Sequence, residues 1–506
     1  MKKVICIIGA LFMLVPLCMP VVAYAAEEAA DPEVITLRVC NWEEYIDEGG
    51  WDEEELIELD NGMSILGENS MVEDFESWYY ETYGKRVEVE YSTFGTNEEL
   101  YNQLTLGDTF DIVCPSDYMI MKMMAEDMLT PFSEGFFDET QEHNYYARGL
   151  SDYIRNVFDT HEINGEPWSK YAAGFMWGTT GIIYNPEVVS EEDASTWQIL
   201  ANRDYHRQVT IKDNVRDSYF AALGILKHDL LMSDEFRNDP NIEENLLDEM
   251  NDTDDETIAG VEKILKDIKE NVYSFETDSG KADMVTGKVV ANYQWSGDAV
   301  YAMEQAEEED LYLNYAIPEE GSNLWFDGWV MLKDGINGDL EKQAAAEAFV
   351  NFLSRSDNVV RNMYYIGYTS VMSGGEDDTI FQYLNWYYAA GEDEEDVVDY
   401  DVSYFFGEDS ILIAPAEQLN RELYAQYPTE DVLKRTTIMS YFDLDTYSKI
   451  NQMWINVRCF DISNGGVLIV YLVAGLLIVA AIIFISVVRL KIKLGSKGRQ
   501  TQKSRY

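Results

Sequence analysis

The sequence predicts an α/β protein of two lobes, with an export signal before it and one membrane-spanning helix after it. Three observations carry that expectation. Short β-branched and aromatic runs alternate with helical patterns through most of the chain. Its 506 residues exceed what one compact core organises. The two ends differ in hydropathy and charge from everything between them.

In chain order, "MKKVICIIGALFMLVPLCMPVVAYAA" has a basic start, an apolar middle and a small-residue end. That makes residues 1–26 a signal peptide, with cleavage expected after Ala25 or Ala26. Residues 33–168 are read as the first part of lobe 1. There "ITLRVCNW", "KRVEVEYST" and "FDIVCPS" read as strands, and "MVEDFESWYYETYG", "NEELYNQLTLG" and "YMIMKMMAEDM" as helices. A β-α-β-α-β unit of this kind favours a parallel sheet with right-handed crossovers. Such sheets bind ligands beyond the carboxyl ends of their strands, where "NWEEY" and "PSDY" lie.

Residues 169–324 are read as the first part of lobe 2, 325–372 as a return to lobe 1, and 373–460 as the second part of lobe 2 with a C-terminal region. "QVTIKDNVRDSYFAALGILKH" and "KVVANYQWSGDAVYAMEQA" each read as strand, turn and helix, and "LYLNYAIPEEGSNLWFDGWVML" as two strands around a turn. Ala345, Ala348, Phe349, Phe352 and Leu353 mark the core face of a further helix. Three acidic stretches, beginning at Asp47, Asp239 and Gly374, read as insertions or surface excursions. The run 467–488, "VLIVYLVAGLLIVAAIIFISVV", has no charge, and at ~1.5 Å per residue it spans roughly 33 Å, enough to cross a bilayer. The tail 489–506 is basic without acidic residues, which places it in the cytoplasm and the lobes outside the cell membrane.

Composition excludes several functions. Against 36 basic residues stand 94 acidic ones, a net charge of −58, so a nucleic-acid partner would be repelled. The balance suits a cationic ligand, although most of these charges read as solvated surface. Cys40, Cys114 and Cys459 remain after signal removal, too few for a disulfide scaffold, and the first two are expected as buried free thiols. The four histidines lack metal-ligand spacing, and neither a metal nor a cofactor is expected. No nucleophile elbow, zinc helix motif or phosphate loop is present, so an enzyme is not expected; "SGK" lacks the preceding glycine spacing. A membrane-anchored hydrolase ranks as a distant alternative.

Aromatics and carboxylates recur together: Trp42 with Tyr45, Ser116 with Tyr118, Asp217, Trp295 with Asp298, Trp325 with Asp327, and Tyr368. Taken singly, Trp295 and Trp325 read as core and Tyr368 as lobe packing. Taken together, they supply what an ammonium leaving water requires, namely carboxylates for its charge and aromatic faces for its surroundings.

The stretches "LRVCNWEEYID", "WGTTGIIYNPEVV", "KDNVRDSYFAAL", "ANYQWSGDAV", "LWFDGWVMLKDG" and "FVNFLSRSDNVVRNMYYIGYTS" stand in an order that resembles the extracellular spermidine/putrescine-binding proteins of ABC transporters. The resemblance implies a two-lobe, periplasmic-binding-protein-like (type II) fold closing on its ligand by a hinge, a polyamine ligand, and partnership with an ABC permease and its ATPase. It implies Trp42, Tyr45, Ser116, Tyr118, Trp295, Trp325 and Tyr368 as cleft contacts and Asp217, Asp298 and Asp327 as amine-binding carboxylates, Asp327 foremost. Asp217, early in a helix, is expected to favour its ionised form. Glu44 and Asn214 are additional candidates, Asn214 standing where some relatives use an acid. Asp298 resembles the putrescine-selective members. A glutamine that some relatives contribute from the C-terminal region has no clear counterpart, and "TTIMSYF" occupies that neighbourhood. Another cationic or polar solute, or a sensing role, is the alternative on the same fold.

Overall fold

The computed structural model describes residues 34–391 and 393–459. The signal peptide 1–26, the apolar run 467–488 and the tail 489–506 lie outside the described residues. Among the described residues no helix is long and apolar enough to cross a membrane.

The β-α-β-α-β reading of the first lobe holds. Strand Ile35–Trp42 pairs in parallel with Val87–Phe94 and with Ile112–Val113, and helices Met71–Tyr83, Asn97–Leu106 and Asp117–Ala125 follow the three strands. Local chemistry fixes the first helix at both ends. Ser70 and Glu73 form a capping box, and Gly84 closes the helix at φ +65°, a left-handed conformation that costs glycine nothing. In the other half, Val209–Lys212 lies parallel to Ser274–Glu276 and Ala291–Trp295, and helices Val215–Leu226 and Ser296–Glu307 follow their strands as expected.

Two long, wholly buried strands join these halves. Ala172–Tyr184 and Ser322–Leu332 run antiparallel at the middle of one 12-stranded sheet, with the parallel groups on either side. Their pairing is irregular between Asp327 and Gly328. The two strands around the turn do not pair with each other, because Asn314–Ala316 and Ser322–Leu332 both pair with Ala172–Tyr184. One apolar core gathers Val39, Ile112, Trp329 and Phe349, and a second gathers Ile211, Tyr219, Ile268 and Tyr293. The five apolar residues read onto helix Leu340–Leu353 are all buried. Late in the chain, Ile380, Tyr383 and Tyr427 pack in the first core, while Ile450, Met453 and Val457 pack in the second.

The acidic stretches are more ordered than surface excursions. The first forms a small hairpin, Ile57–Glu58 with Ser64–Ile65, docked through Trp51, Ile57 and Leu59. The second contains helices Ile242–Met250 and Asp255–Asn271, and the third contains helix Thr379–Tyr388. In each, apolar residues at helix or strand spacing bury one face and leave the acids on the other. Cys40 and Cys114 are buried and free, as expected, Cys40 on the first strand and Cys114 just past the third, its N–H donating to Cys40 O at 3.1 Å.

Candidate functional site

The first strand ends at Trp42, and the chain then turns through Glu43 and Glu44, Glu44 at φ +53°. The turn leaves Glu44 exposed and brings Tyr45 back beneath the sheet, buried. Trp42 packs on Phe94, with ring centroids 4.6 Å apart.

Asp327 lies on the second crossing strand at its irregular point and bridges to Ser116 there. Only 6% of Asp327 is exposed. Tyr45 OH donates to its Oδ2 at 2.7 Å, and Ser116 Oγ donates to its Oδ1 at 2.7 Å. Ser116 is the N-cap of helix Asp117–Ala125, yet its hydroxyl makes no bond to that helix and serves Asp327 instead. Burial pushes the Asp327 carboxyl up to about 6, while the two hydroxyl bonds hold it back toward the charged form. At neutral pH it is a buried carboxylate held by neutral donors.

Aromatics wall this carboxylate. Tyr368 meets Tyr45 edge-on at 5.1 Å and Trp325 at 5.8 Å, and Tyr45 also packs on Phe175 at 5.7 Å. Trp325 is fixed by its Nε1 donating to Thr179 O at 3.1 Å. Gly178 and Gly297 permit these approaches, since a Cβ on either would enter the ring of Trp325 or of Tyr368.

From Tyr368 the arrangement continues into the other half. Tyr368 OH donates to Asp298 Oδ1 at 2.9 Å. Asp298 is also flanked by Lys281 Nζ at 3.3 Å and by Lys212 Nζ at 4.0 Å. Lys212, wholly buried, donates to Thr277 O at 2.9 Å, lies 3.6 Å from Glu276, and sits 4.0 Å over the Trp295 ring. Burial disfavours the Lys281 charge, but Asp298, Asp278 and Glu44 outweigh it and hold its pKa above the usual lysine range.

The other predicted residues fall around this line. Tyr118 OH accepts from Asn97 Nδ2 at 3.0 Å, and its ring faces the Arg216 guanidinium at 4.8 Å. Asn214 is the N-cap of helix Val215–Leu226: its Oδ1 accepts from Asp217 N at 2.8 Å, and its Nδ2 donates to Asp217 Oδ2 at 2.5 Å. The expectation for Asp217 is corrected. Burial raises its pKa, and the favourable contacts from Asn214, Lys212, Trp295 and Arg216 do not cancel that cost.

Sequence reasoning missed the cations and a second acid. Lys212 and Arg216 flank the "KDNVR" turn, and Lys281 is the lysine of the dismissed "SGK". Asp117, between two proposed contacts, is buried, and burial with the nearby Asp327 charge pushes its pKa up to about 8 although Tyr118 and Phe326 N–H groups oppose the shift. Asn97, which accepts from Ser116 N at 3.0 Å, positions both Ser116 and Tyr118. The C-terminal region brings Gln426 against Gly367 O at 3.1 Å, beside Tyr368, while Phe442 of "TTIMSYF" covers Arg216 at 3.7 Å. Among the described residues no group of His, Cys, Asp and Glu side chains has the arrangement of a metal site.

Comparison with known proteins gives one answer. The chain is 25% identical over 284 residues to the spermidine/putrescine-binding periplasmic protein of Escherichia coli, covering 56% of this chain and 70% of that one. It is 25% identical over 297 residues to a putrescine-binding periplasmic protein of the same organism, covering 56% and 71%. Two solved structures share the fold. One is the spermidine/putrescine ABC transporter substrate-binding protein of Streptococcus pneumoniae, with TM-score 0.53, 23% identity and coverage of 84% of this chain and 98% of that one. The other is a lipoprotein of Treponema pallidum, with TM-score 0.55, 17% identity and coverage of 84% and 99%. The relatives are solute-binding proteins, and this chain is a binding protein rather than an enzyme. Residues 70–382 match the model of the bacterial extracellular solute-binding proteins, and with its two lobes joined by crossing strands the chain belongs to that family.

Proposed function

We propose that the protein is a receptor for polyamines of the putrescine and spermidine type, anchoring one ammonium end at Asp327 in the cleft between the lobes and handing the ligand to an ABC permease driven by its ATPase. The signal peptide exports it, and the run 467–488 tethers it to the membrane with the basic tail inside, so that receptor and permease meet at high effective concentration. The observation that carries the reading is Asp327 itself, a buried carboxylate with hydroxyl donors, aromatic walls and no cation partner among the described residues. The names of its relatives support the ligand class.

Calorimetry on the full-length chain with diamines, triamines, basic amino acids and sugars tests this. A linear amine should bind, and Asp327→Asn should weaken it by about a hundredfold or more, as expected when one partner of a buried charge pair is removed. Equal affinity in Asp327→Asn would sink the anchor. A second reading, another cationic or polar solute on the same fold, is favoured by one observation: Lys212 and Lys281 already stand at Asp298.

A further inference from the structure

Arg216 is a buried cation without a close counter-charge. It stands in the first turn of helix Val215–Leu226, and only 7% of it is exposed. Its guanidinium lies between two rings, Phe442 at 3.7 Å and Tyr118 at 4.8 Å, and its Nη2 donates to Ser440 O at 2.5 Å. Its Nε and Nη1 are buried and have no hydrogen-bond partner among the described residues. Burial pulls its pKa below the usual arginine range, although Tyr118, Glu98, Asp117 and Asp217 all favour the charge. Two of these acids are committed elsewhere. Asp117 accepts from Tyr118 N at 2.6 Å and from Phe326 N at 3.3 Å, and Asp217 accepts from Asn214 Nδ2 at 2.5 Å and from Tyr293 OH at 3.5 Å. The Glu98 carboxylate has the Tyr118 hydroxyl alone, at 3.3 Å, among the described residues.

Glu98 and Arg216 both line a cavity of about 30 Å³, with Tyr101, Tyr118, Lys122 and Tyr447. That is room for a water or two and not for an organic ligand. The cavity lies between the halves of the molecule. Glu98, Tyr118 and Lys122 stand on helices that follow strands of the first half, and Arg216 on the helix that follows Val209–Lys212 of the second. Tyr447 belongs to helix Leu444–Arg458, which is held to the second half by Ile450, Met453 and Val457 in its core. Ion pairs of Lys449 with Asp255 at 3.0 Å and of Arg458 with Asp213 at 2.7 Å hold it further. Lys122 reaches it from the other side, 5.0 Å over the Tyr447 ring and 4.1 Å over the Tyr101 ring, with Glu126 at 4.0 Å for its charge. Each half therefore extends one cation onto an aromatic ring of the other, and the cavity separates them.

We infer that Glu98 and Arg216 form a closure latch: when a bound ligand draws the halves together, the Arg216 guanidinium pairs with the Glu98 carboxylate across this cavity and slows the ligand's release. The inference rests on the proposed reading of the protein as a polyamine receptor that closes by a hinge. Pairing gives the buried guanidinium the close carboxylate it lacks, and its planar fork can engage both carboxylate oxygens. Lys122 has Glu126 for its own charge, so the latch brings one cation to one carboxylate.

Stopped-flow measurement of putrescine association and dissociation on the full-length chain is the test. Glu98→Gln and Arg216→Met should each speed dissociation by at least about tenfold and leave association within about twofold, because the latch forms only after the ligand has entered. The double variant should release putrescine no faster than Arg216→Met alone, since a latch is lost only once. Should Arg216→Met fail to fold, Arg216→Lys takes its place in the same comparison, keeping the charge without the planar fork. Dissociation unchanged in Glu98→Gln, or effects that simply add in the double variant, overturns the inference and leaves the polyamine reading standing. Wild type that binds no putrescine overturns that reading and the latch with it.

Discussion

The two buried carboxylates of the candidate site, Asp327 and Asp298, stand among the same residue types and are held in opposite ways. Asp327 stands among Tyr45, Trp325 and Tyr368 and is held by hydroxyls. Asp298 stands by Trp295 and the same Tyr368, but two lysines reach it. A carboxylate with neutral donors keeps its charge for an incoming cation, while one with resident cations has become part of the scaffold. The surroundings of a carboxylate, more than its presence, decide whether it is a site.

The largest expected effect that would break this contrast is on stability. Asp298→Asn leaves Lys212 with Glu276 and Lys281 with the more distant charges of Asp278 and Glu44, and should cost about 3 kcal/mol in urea unfolding. Asp327→Asn should cost no stability at neutral pH, because it removes a buried charge that has no cation partner among the described residues. Equal losses in the two variants would erase the distinction.

A pH series sharpens it. With the Asp327 carboxyl at about 6 in the folded protein against 3.8 ordinarily, the native state binds more protons than the unfolded state between those values. Its contribution therefore weakens the ligand-free fold as pH rises through that window, by about 3 kcal/mol. Asp117, pushed up to about 8, adds a slope of the same sign that extends above neutrality. Affinity for an ammonium runs the other way and should fall about tenfold per pH unit below 6, since the anchor must be ionised. Calorimetry between pH 4.5 and pH 7.5, with melting curves on the same samples, is the check, using roughly half-unit steps around the Asp327 midpoint.

The smallest effect is at Ser116. Ser116→Ala removes one hydroxyl donor and should weaken amine binding about tenfold, the low end of the scale of a single hydrogen bond to a charge. It should also move the pH midpoint upward, because that hydroxyl favours the charged form of Asp327. A midpoint that moves down would show that Asp327 is held by something else.

Much of the fold was legible because its signals are local. Alternating strands and helices announced the parallel half-sheets, and the face of helix Leu340–Leu353 followed from spacing alone. The acidic stretches misled because their charge was conspicuous and their apolar residues, such as Trp51, Leu246 and Ile380, were sparse. At the site, Tyr45, Ser116, Asp327, Tyr368 and Asp298 were named from the sequence, and the structure links them by hydrogen bonds and ring contacts. What the sequence could not display was pairing. Lys212 and Lys281 lie on different elements from Asp298, and their approach depends on how strand Val209–Lys212 lies beside Ala291–Trp295. Asn214 looked like a substituted acid, but its side chain closes the first turn of its helix.

The irregular pairing at Asp327 and Gly328 gives the receptor a mechanical asymmetry. Asp327 belongs to a strand that runs through both halves of the sheet, so it sits at the fulcrum, while Asp298 and Lys212 ride on elements of the second half, out along the lever. In the proposed receptor, rotation of that half about the crossing strands would hardly displace a ligand end held at Asp327 and would carry Asp298 and Lys212 through an arc. On that proposal the length of a bound molecule would be converted into an angle between the lobes, a quantity that can be read from outside without touching the ligand.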